Sequence, residues 1–394
     1  MDAITELLTR GVAHCIVKED LEKKLRSGKA LTIKLGCDPT ASNIHLGNAI
    51  AIRALRKFQL LGHNIVFIVG DATGMIGDTS DKSAMRVQIT KEQVEENMKG
   101  WKEQVGKILD MDKTKFVYNS EWLAKLNFMD VANLASKFTV AQMIERDNYW
   151  KRFSEHKPIG LHEFMYPLMQ GYDSVAIKAD VELGGDDQLF NILAGRVLQE
   201  AFSMEPQNLI TFELIEGTDG RKMSKSYGNV INIVDTSKDI FGKVMSMQDD
   251  LILRYFTMCT DLPFEQIEEY KKQLEQGVNP RDIKIILAKE LVKMYHNEDA
   301  AEHEANEFFN VFSKGEIPTD VETRIVEHSE ISLLDLLMTC TLATSKAEAR
   351  RLIEQGGVSI DGEKLQDSTL IVQITNTKKL LKVGKRRFLY VVSL

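Results

Sequence analysis

The stretch Asn64-Ile65-Val66-Phe67-Ile68-Val69-Gly70 constrains this chain more than any other, because its interior is unbrokenly apolar. A strand with one wet face alternates apolar and polar residues. A strand apolar at every position must be covered on both faces, which is the situation inside a parallel sheet. Parallel neighbours need crossover connections, and the preceding residues supply one. Leu31 to Leu35 reads as a strand closed by Gly36-Cys37-Asp38-Pro39, and residues 44–61 read as a helix with Ile50, Leu55, Phe58 and Leu61 on its apolar side. Residues 20–27 read as the end of an amphipathic helix, and further strand candidates are 115–118, 174–183 and 209–214. Strands alternating with helices predict an α/β, doubly wound parallel sheet, whose ligands bind beyond the carboxyl ends of the strands where the strand order reverses.

The rest of the chain departs from that alternation. Residues 84–160 are helical in pattern, with candidate helices at 92–109 and 130–144, and form either an insertion that buries a dimer surface or an ordinary helical layer. Residues 235–325 carry little strand signal and read as helical, notably 263–276 and 280–295. From Ile331 the pattern changes to a helix through Leu337, a second helix over 345–355, then Gly356-Gly357 and short strands. With 394 residues, two or three domains are expected.

No stretch approaches the roughly 20 apolar residues of a membrane span. The acidic, helix-forming start, Met1-Asp2-Ala3-Ile4-Thr5-Glu6, does not resemble a signal peptide. Cys15, Cys37, Cys259 and Cys340 are scattered, which argues against a structural metal or a disulfide framework and fits a reducing cytoplasm. The net charge of −8 is unevenly spread: residues 341–394 carry +5, leaving −13 on residues 1–340. That asymmetry fits either a module with a polyanionic partner or a solvated basic tail.

Two short motifs carry the chemistry. After the 31–35 strand, the chain turns at Gly36, Asp38 and Thr40 and is expected to enter a helix capped near Ser42 or Asn43. His45 and Asn48 then lie in its first turns, three apart and on one face, where free N–H groups and the positive dipole end favour phosphate. Gly47 permits close approach of backbone or nucleotide. The second motif, Lys222-Met223-Ser224-Lys225-Ser226, sits on a glycine-flanked loop whose two lysines are suited to a triphosphate and to charge developing on departing pyrophosphate. A third element, Glu182-Leu183-Gly184-Gly185-Asp186-Asp187-Gln188, leads from a strand into the helix 189–201 and has the glycines and acids of a ribose-binding turn. Tyr166, Gln170 and Asp173, spaced by four and three, share one helical face among apolar neighbours. The loop from Gly70 to Asp78 ends in a carboxylate suited to an ammonium group.

The His45 and Lys222 motifs resemble the two signatures of class I aminoacyl-tRNA synthetases. The segments 36–48, 70–82, 166–173, 184–191 and 222–226 resemble the tyrosyl-tRNA synthetase family in the same order. The resemblance is close over residues 30–230 and looser beyond. It implies a Rossmann-like catalytic domain over 1–232 with a helical insertion at about 84–160, a helical domain over 233–328 on the anticodon side of tRNA, and a small α+β RNA-binding domain over 329–394. It also implies roles residue by residue. Asp78, Tyr166 and Gln170 would bind the α-amino group of tyrosine, Asp173 the phenolic hydroxyl, and Gln188 the region of the carboxylate. Gly36, Asp38, Gly47, Gly185 and Asp187 would contact ATP. Thr40, His45 and Asn48 would stabilise the transferring phosphates, with Lys82, Arg86, Lys222 and Lys225 on loops around pyrophosphate.

Three positions depart from the family pattern. Asn48 stands where a second histidine is commoner, Lys34 where many members have a tyrosine near the phenol, and Glu182 where many have glutamine. Lys34 and Glu182 are expected to pair across the pocket and orient Asp173. In the C-terminal part, residues 344–362 resemble a small RNA-binding fold shared with a ribosomal protein. Lys346, Arg350, Arg351, Lys385, Arg386 and Arg387 would grip RNA backbone by charge and shape. The implied function is activation of L-tyrosine with ATP and Mg2+, followed by transfer to tRNA(Tyr), by a cytoplasmic homodimer with no membrane or DNA partner. A tryptophanyl enzyme of the same fold, or a synthetase-like RNA-binding protein without catalysis, are the rival readings.

Overall fold

The computed structural model describes residues 2–78, 89–224, 227–311, 321–384 and 387–393. They form two compact units, 1–297 and 298–394. The first is organised on a six-stranded sheet: β1 (Val12–Ile16), β2 (Thr32–Cys37), β3 (Asn64–Val69), β4 (Thr114–Tyr118), β5 (Val181–Gly185) and β6 (Asn208–Phe212). Their order is β1-β6-β5-β2-β3-β4, with β2 to β6 parallel and β1 antiparallel at the edge. The chain builds outward from β2 through β3 to β4 and then returns to the other side of β2, so the strand order reverses between β2 and β5. Five of the six residues of β3 and all five of β6 are buried, as a strand covered on both faces requires.

Three predicted elements came out differently. The 174–183 segment is not one strand: residues 174–177 finish the helix Met165–Ile177, Lys178 closes it in the left-handed region at φ 55°, and β5 begins only at Val181. A short apolar run has no periodicity by which to separate the two states. The predicted helix 92–109 is broken at Gly100, φ 77°, into Lys91–Met98 and Trp101–Gly106. The predicted helix 130–144 divides into Phe128–Ala135 and Val140–Ile144, the second restarted by a capping box between Thr139 and Gln142. β1 escaped the sequence reading because Val-Ala-His-Cys-Ile neither alternates nor runs apolar.

The helices between Ser237 and Tyr295 belong to the same unit as the sheet, so the unit does not end at 232. Arg53, buried in the helix Leu46–Leu60, donates to the Met258 carbonyl at 3.1 Å and to Asp261 at 2.6 Å. Arg10 reaches the Leu262 carbonyl at 2.6 Å, and the Tyr255 hydroxyl reaches the Glu216 carbonyl at 2.7 Å.

The second unit holds the helix Glu298–Phe309, the strands β7 (Thr323–Val326), β8 (Glu330–Ser332), β9 (Val358–Ile360), β10 (Glu363–Leu365), β11 (Ile371–Gln373), β12 (Lys379–Val383) and β13 (Arg387–Ser393), and the helices Leu333–Thr339 and Lys346–Glu354. Five strands form a sheet of order β10-β9-β12-β13-β7 over a core that includes Leu336, Ile353, Val358, Leu381 and Val391. Because β7 pairs in parallel with β13, this fold takes in residues ahead of the boundary at 329 expected from sequence.

The helices Met165–Ile177 and Leu189–Ala201 touch almost backbone to backbone. A Cβ on Gly171 would lie 3.1 Å from the Ala194 carbonyl carbon and the Gly195 nitrogen. Gly171→Ala must therefore push the helices apart. The expected loss is about 1–3 kcal/mol in urea unfolding, together with a raised KM for whatever the Gln170 and Asp173 side chains hold. An unchanged midpoint would show that the contact yields.

Candidate active site

A cavity of about 560 Å³ opens at the carboxyl ends of β2 and β5, where the strand order reverses. Its volume is in the range of small-molecule sites. Gly36, Asp38, Thr40, His45, Gly47, Asn48, Asp78, Tyr166, Gln170, Asp173, Gly185, Asp187, Gln188 and Lys222 all line it. One end presents a helix start and a lysine, the other carboxyl and amide groups.

The helix at the cationic end begins at Leu46 with His45 as its cap, not near Ser42 or Asn43. The reason is long-range. The Ile233 N–H donates to the Ile44 carbonyl at 3.0 Å and the Leu46 N–H to the Ile231 carbonyl at 2.9 Å, which keeps the chain extended through His45. The imidazole Nδ1 accepts the Asn48 N–H at 3.3 Å, and Asn48 Oδ1 accepts the His45 N–H at 3.4 Å. Both acceptors are thus turned to the backbone. The neutral ring then carries its proton on Nε2, and the Asn48 amide keeps its donors, so the pair confronts the cavity as donors.

The second motif lies against the first. A Cβ on Gly47 would sit 3.4 Å from the Met223 sulfur, and Lys222, Met223 and Ser224 line the same cavity. The loop is stapled by buried Asn229, which donates to the Lys222 carbonyl at 3.1 Å and to Asp219 at 2.8 Å while accepting the Ser224 N–H at 2.8 Å. A Cβ on Gly217 would fall 2.3 Å from the Asn229 amide, so glycine there makes room for the staple.

At the other end, the Tyr166 hydroxyl donates to Asp38 at 3.0 Å, and Thr73 donates to the other Asp38 oxygen at 2.7 Å. Burial, reinforced by Asp38 and Asp78, holds the Tyr166 phenol well above its usual range, so it stays a donor. Asp78 receives Arg146 at 3.1 Å and Gln188 at 2.6 Å. Asp173 receives the Trp122 indole N–H at 2.8 Å and the Asn119 amide at 3.3 Å. Lys34 does not line the cavity. It lies fully buried behind the wall, 3.0 Å from Glu182, its sheet neighbour. The expected pairing is present, but Asp173 is held directly by Trp122 and Asn119.

Two family models match the chain: class I tRNA synthetases of the tryptophan and tyrosine type over residues 26–313, and a tyrosine–tRNA ligase C-terminal domain over residues 314–391. The tyrosine–tRNA ligase of Carboxydothermus hydrogenoformans is 48% identical over 398 residues, covering 98% of this chain and 97% of that protein. That of Thermotoga maritima is 48% identical over 386 residues, covering 97% and 96%. The chain belongs to the tyrosine–tRNA ligase family. The family fold is also recovered structurally, with a TM-score of 0.65 at 23% identity to a truncated mitochondrial tyrosyl-tRNA synthetase of Aspergillus nidulans, covering 79% of this chain and 94% of that one.

For a tyrosine–tRNA ligase family member, sequence reasoning located the cavity wall but missed its supports. Thr73, Asn119, Trp122, Arg146 and Asn229 went unnoticed because each is an isolated polar or aromatic residue with no local pattern. Lys82, Arg86 and Lys225 lie outside the described residues, as do Lys385 and Arg386. In the second unit, Arg350 and Arg351 are exposed on the helix Lys346–Glu354 and Lys346 pairs with Asp335 at 2.9 Å, while Arg387 donates to the Leu342 carbonyl.

Burial pushes the Asp173 carboxyl from its ordinary 3.8 up to about 7, against the opposing pull of Lys34, Trp122 and Asn119. An acid whose folded value is raised favours folding while protonated. Its contribution therefore declines as pH rises from about 4 to about 7 and stays flat above. Uncharged Asp173→Asn removes that decline. In ligand-free protein, its urea midpoint should gain on the wild type across this window; a constant difference would contradict the assignment.

Proposed function

We propose that this chain activates L-tyrosine with ATP, forming tyrosyl-adenylate and pyrophosphate, and then transfers tyrosine to the 3′ end of tRNA(Tyr). The observation that carries this reading is the convergence of His45, Asn48 and Lys222 with Tyr166, Gln170 and Asp173 on one cavity. The tyrosine carboxylate attacks the α-phosphorus and the bond to pyrophosphate breaks. A terminal ribose hydroxyl of the tRNA next attacks the tyrosyl carbonyl, and AMP leaves. Asp78, Tyr166 and Gln170 would hold the ammonium group and Asp173 the phenol, while Gln188 would face the carboxylate. A buried carboxyl left without its hydroxyl partner disfavours phenylalanine. Gly36, Gly47, Gly185, Asp38 and Asp187 would seat the nucleotide.

The remaining work is placement and charge stabilisation. Thr40, the Nε2–H of His45 and the Asn48 amide would meet the transferring phosphates, with Lys82, Arg86, Lys222 and Lys225 around the leaving pyrophosphate. Mg2+ ions of this kind are held largely by phosphate oxygens and water with one or two carboxylates, and the cavity-lining Asp187 is a carboxylate of that kind. Bound there, the ion would neutralise phosphate charge. No helix among the described residues is long and apolar enough to cross a membrane; a cytoplasmic setting, where tRNA and ATP meet, suits the reaction.

In ATP–pyrophosphate exchange with each amino acid in turn, tyrosine alone should support turnover; exchange with tryptophan instead would sink the tyrosine assignment. Lys225→Ala should lower kcat for exchange by about 10²-fold, the scale of losing one preorganised donor to transition-state charge, with little change in tyrosine KM. Equal losses in both would count against a leaving-group role.

Arg350 and Arg351 support an RNA role for the second unit, because both are exposed side by side in its basic segment. Reversing both to Glu should depress tRNA charging and its salt sensitivity while leaving pyrophosphate exchange intact. Unaltered charging would favour a packing role. A homodimer is supported by large exposed apolar side chains within 128–161, among them Phe128 at 85% exposure and Leu161 at 81%. Phe128→Asp with Leu161→Asp should shift sedimentation from dimer to monomer; an unmoved dimer would place the interface elsewhere.

A further inference from the structure

Beneath the amino-acid end of the cavity lies a polar cluster whose hydrogen-bond capacity is almost entirely spent. Lys34 uses its three donors on Glu182 Oε1 at 3.0 Å, the Gln170 carbonyl at 2.9 Å and Ser174 Oγ at 2.7 Å. The Ser174 hydroxyl in turn donates to Glu182 Oε2 at 3.0 Å. The same carboxylate accepts the side-chain amides of Gln170 at 3.0 Å and Gln207 at 2.5 Å. Lys34 is 0% exposed and Glu182 1%. A buried charge pair of this kind is costly to desolvate and persists only where its partners are complete.

Two amide oxygens in this neighbourhood, Oε1 of Gln207 and Oε1 of Gln170, are buried without a partner, and only Gln170 belongs to the cavity wall. An orphaned buried acceptor costs free energy until a donor arrives. The direction of the Gln170 oxygen follows from its neighbour. A carboxylate only accepts, so Glu182 obliges the Gln170 amide to turn its NH2 group downward and its oxygen away. Lys34 holds the backbone carbonyl of the same residue, which fixes the point from which the side chain reaches Glu182.

We propose that Glu182, held in place by Lys34, is a positioning residue for amine recognition: it locks Gln170 with its amide oxygen presented to the substrate's ammonium group. This rests on the reading of Gln170 as an ammonium contact. A neutral amide at 182 could offer either end to Gln170, which would then present NH2 to the cavity for part of the time and repel a cation.

The test compares calorimetric binding of L-tyrosine and of 3-(4-hydroxyphenyl)propionate, which keeps the phenol and carboxylate but lacks the amine. Glu182→Gln should bind tyrosine about tenfold more weakly and the amine-free analogue within about twofold of wild type. Equal weakening of both ligands, or none, would overturn the proposal, since a merely loosened pocket does not distinguish them. Gln170→Ala separates the two layers of the argument. If it too loses tyrosine selectively while Glu182→Gln does not, Gln170 stands as the amine contact and Glu182 falls as its guide. If Gln170→Ala weakens both ligands alike, the ammonium reading fails and this inference with it. Should Glu182→Gln not fold, Lys34→Met with Glu182→Gln carries no buried charge and is judged by the same selective loss.

Discussion

A lysine and a glutamate facing each other across neighbouring parallel strands, both out of reach of water, are the constraint around which the catalytic unit is arranged. β2 and β5 meet where the strand order reverses, and Lys34 and Glu182 are in register there. The helix Met165–Ile177 is pulled onto this pair through Ser174 and Gln170. It has no freedom to sit elsewhere, because on its other side Gly171 abuts the backbone of the helix Leu189–Ala201. Sheet register, helix position and the identity of the residues facing the cavity are therefore one problem with one solution.

The cationic end is built by different means. His45 is both the cap of its helix and a wall of the cavity, so the bond that starts the helix also decides which ring nitrogen carries the proton. The antiparallel bridge of His45 with Asn232 carries the chain that follows the Lys222 loop back to the helix start. Two motifs far apart in sequence are thereby brought side by side through a few backbone hydrogen bonds, and a single asparagine, Asn229, ties down Lys222 and Ser224 of the second.

Much of this was readable beforehand, and the rest was hidden for identifiable reasons. The continuous apolar β3 announced the parallel sheet, and the four-and-three spacing of Tyr166, Gln170 and Asp173 announced a helical face directed inward. Both are local periodicities. The cap at His45 was misplaced by a few residues because the pairing with 231–233 that keeps Ile44 extended is a contact across the fold. Trp122 and Asn119, which hold Asp173, follow a strand with no signature of their own. Their importance arises only when the end of β4 is laid beside the helix Met165–Ile177. Lys34 drew attention as an anomaly, and the anomaly proved to be structural: the charge lies behind the wall and not in it.

The helix Met165–Ile177 has a metric consequence. Tyr166, Gln170 and Asp173 lie along one side of it, and α-helical residues advance about 1.5 Å each. Gln170 and Asp173 therefore start about 4.5 Å apart along the axis, an offset that the backbone repeat fixes before their side chains add to it. On the proposed roles of Gln170 and Asp173, that offset acts as a gauge of substrate length: a ligand whose two polar ends stand closer or farther apart would have to draw on side-chain rotation to reach both.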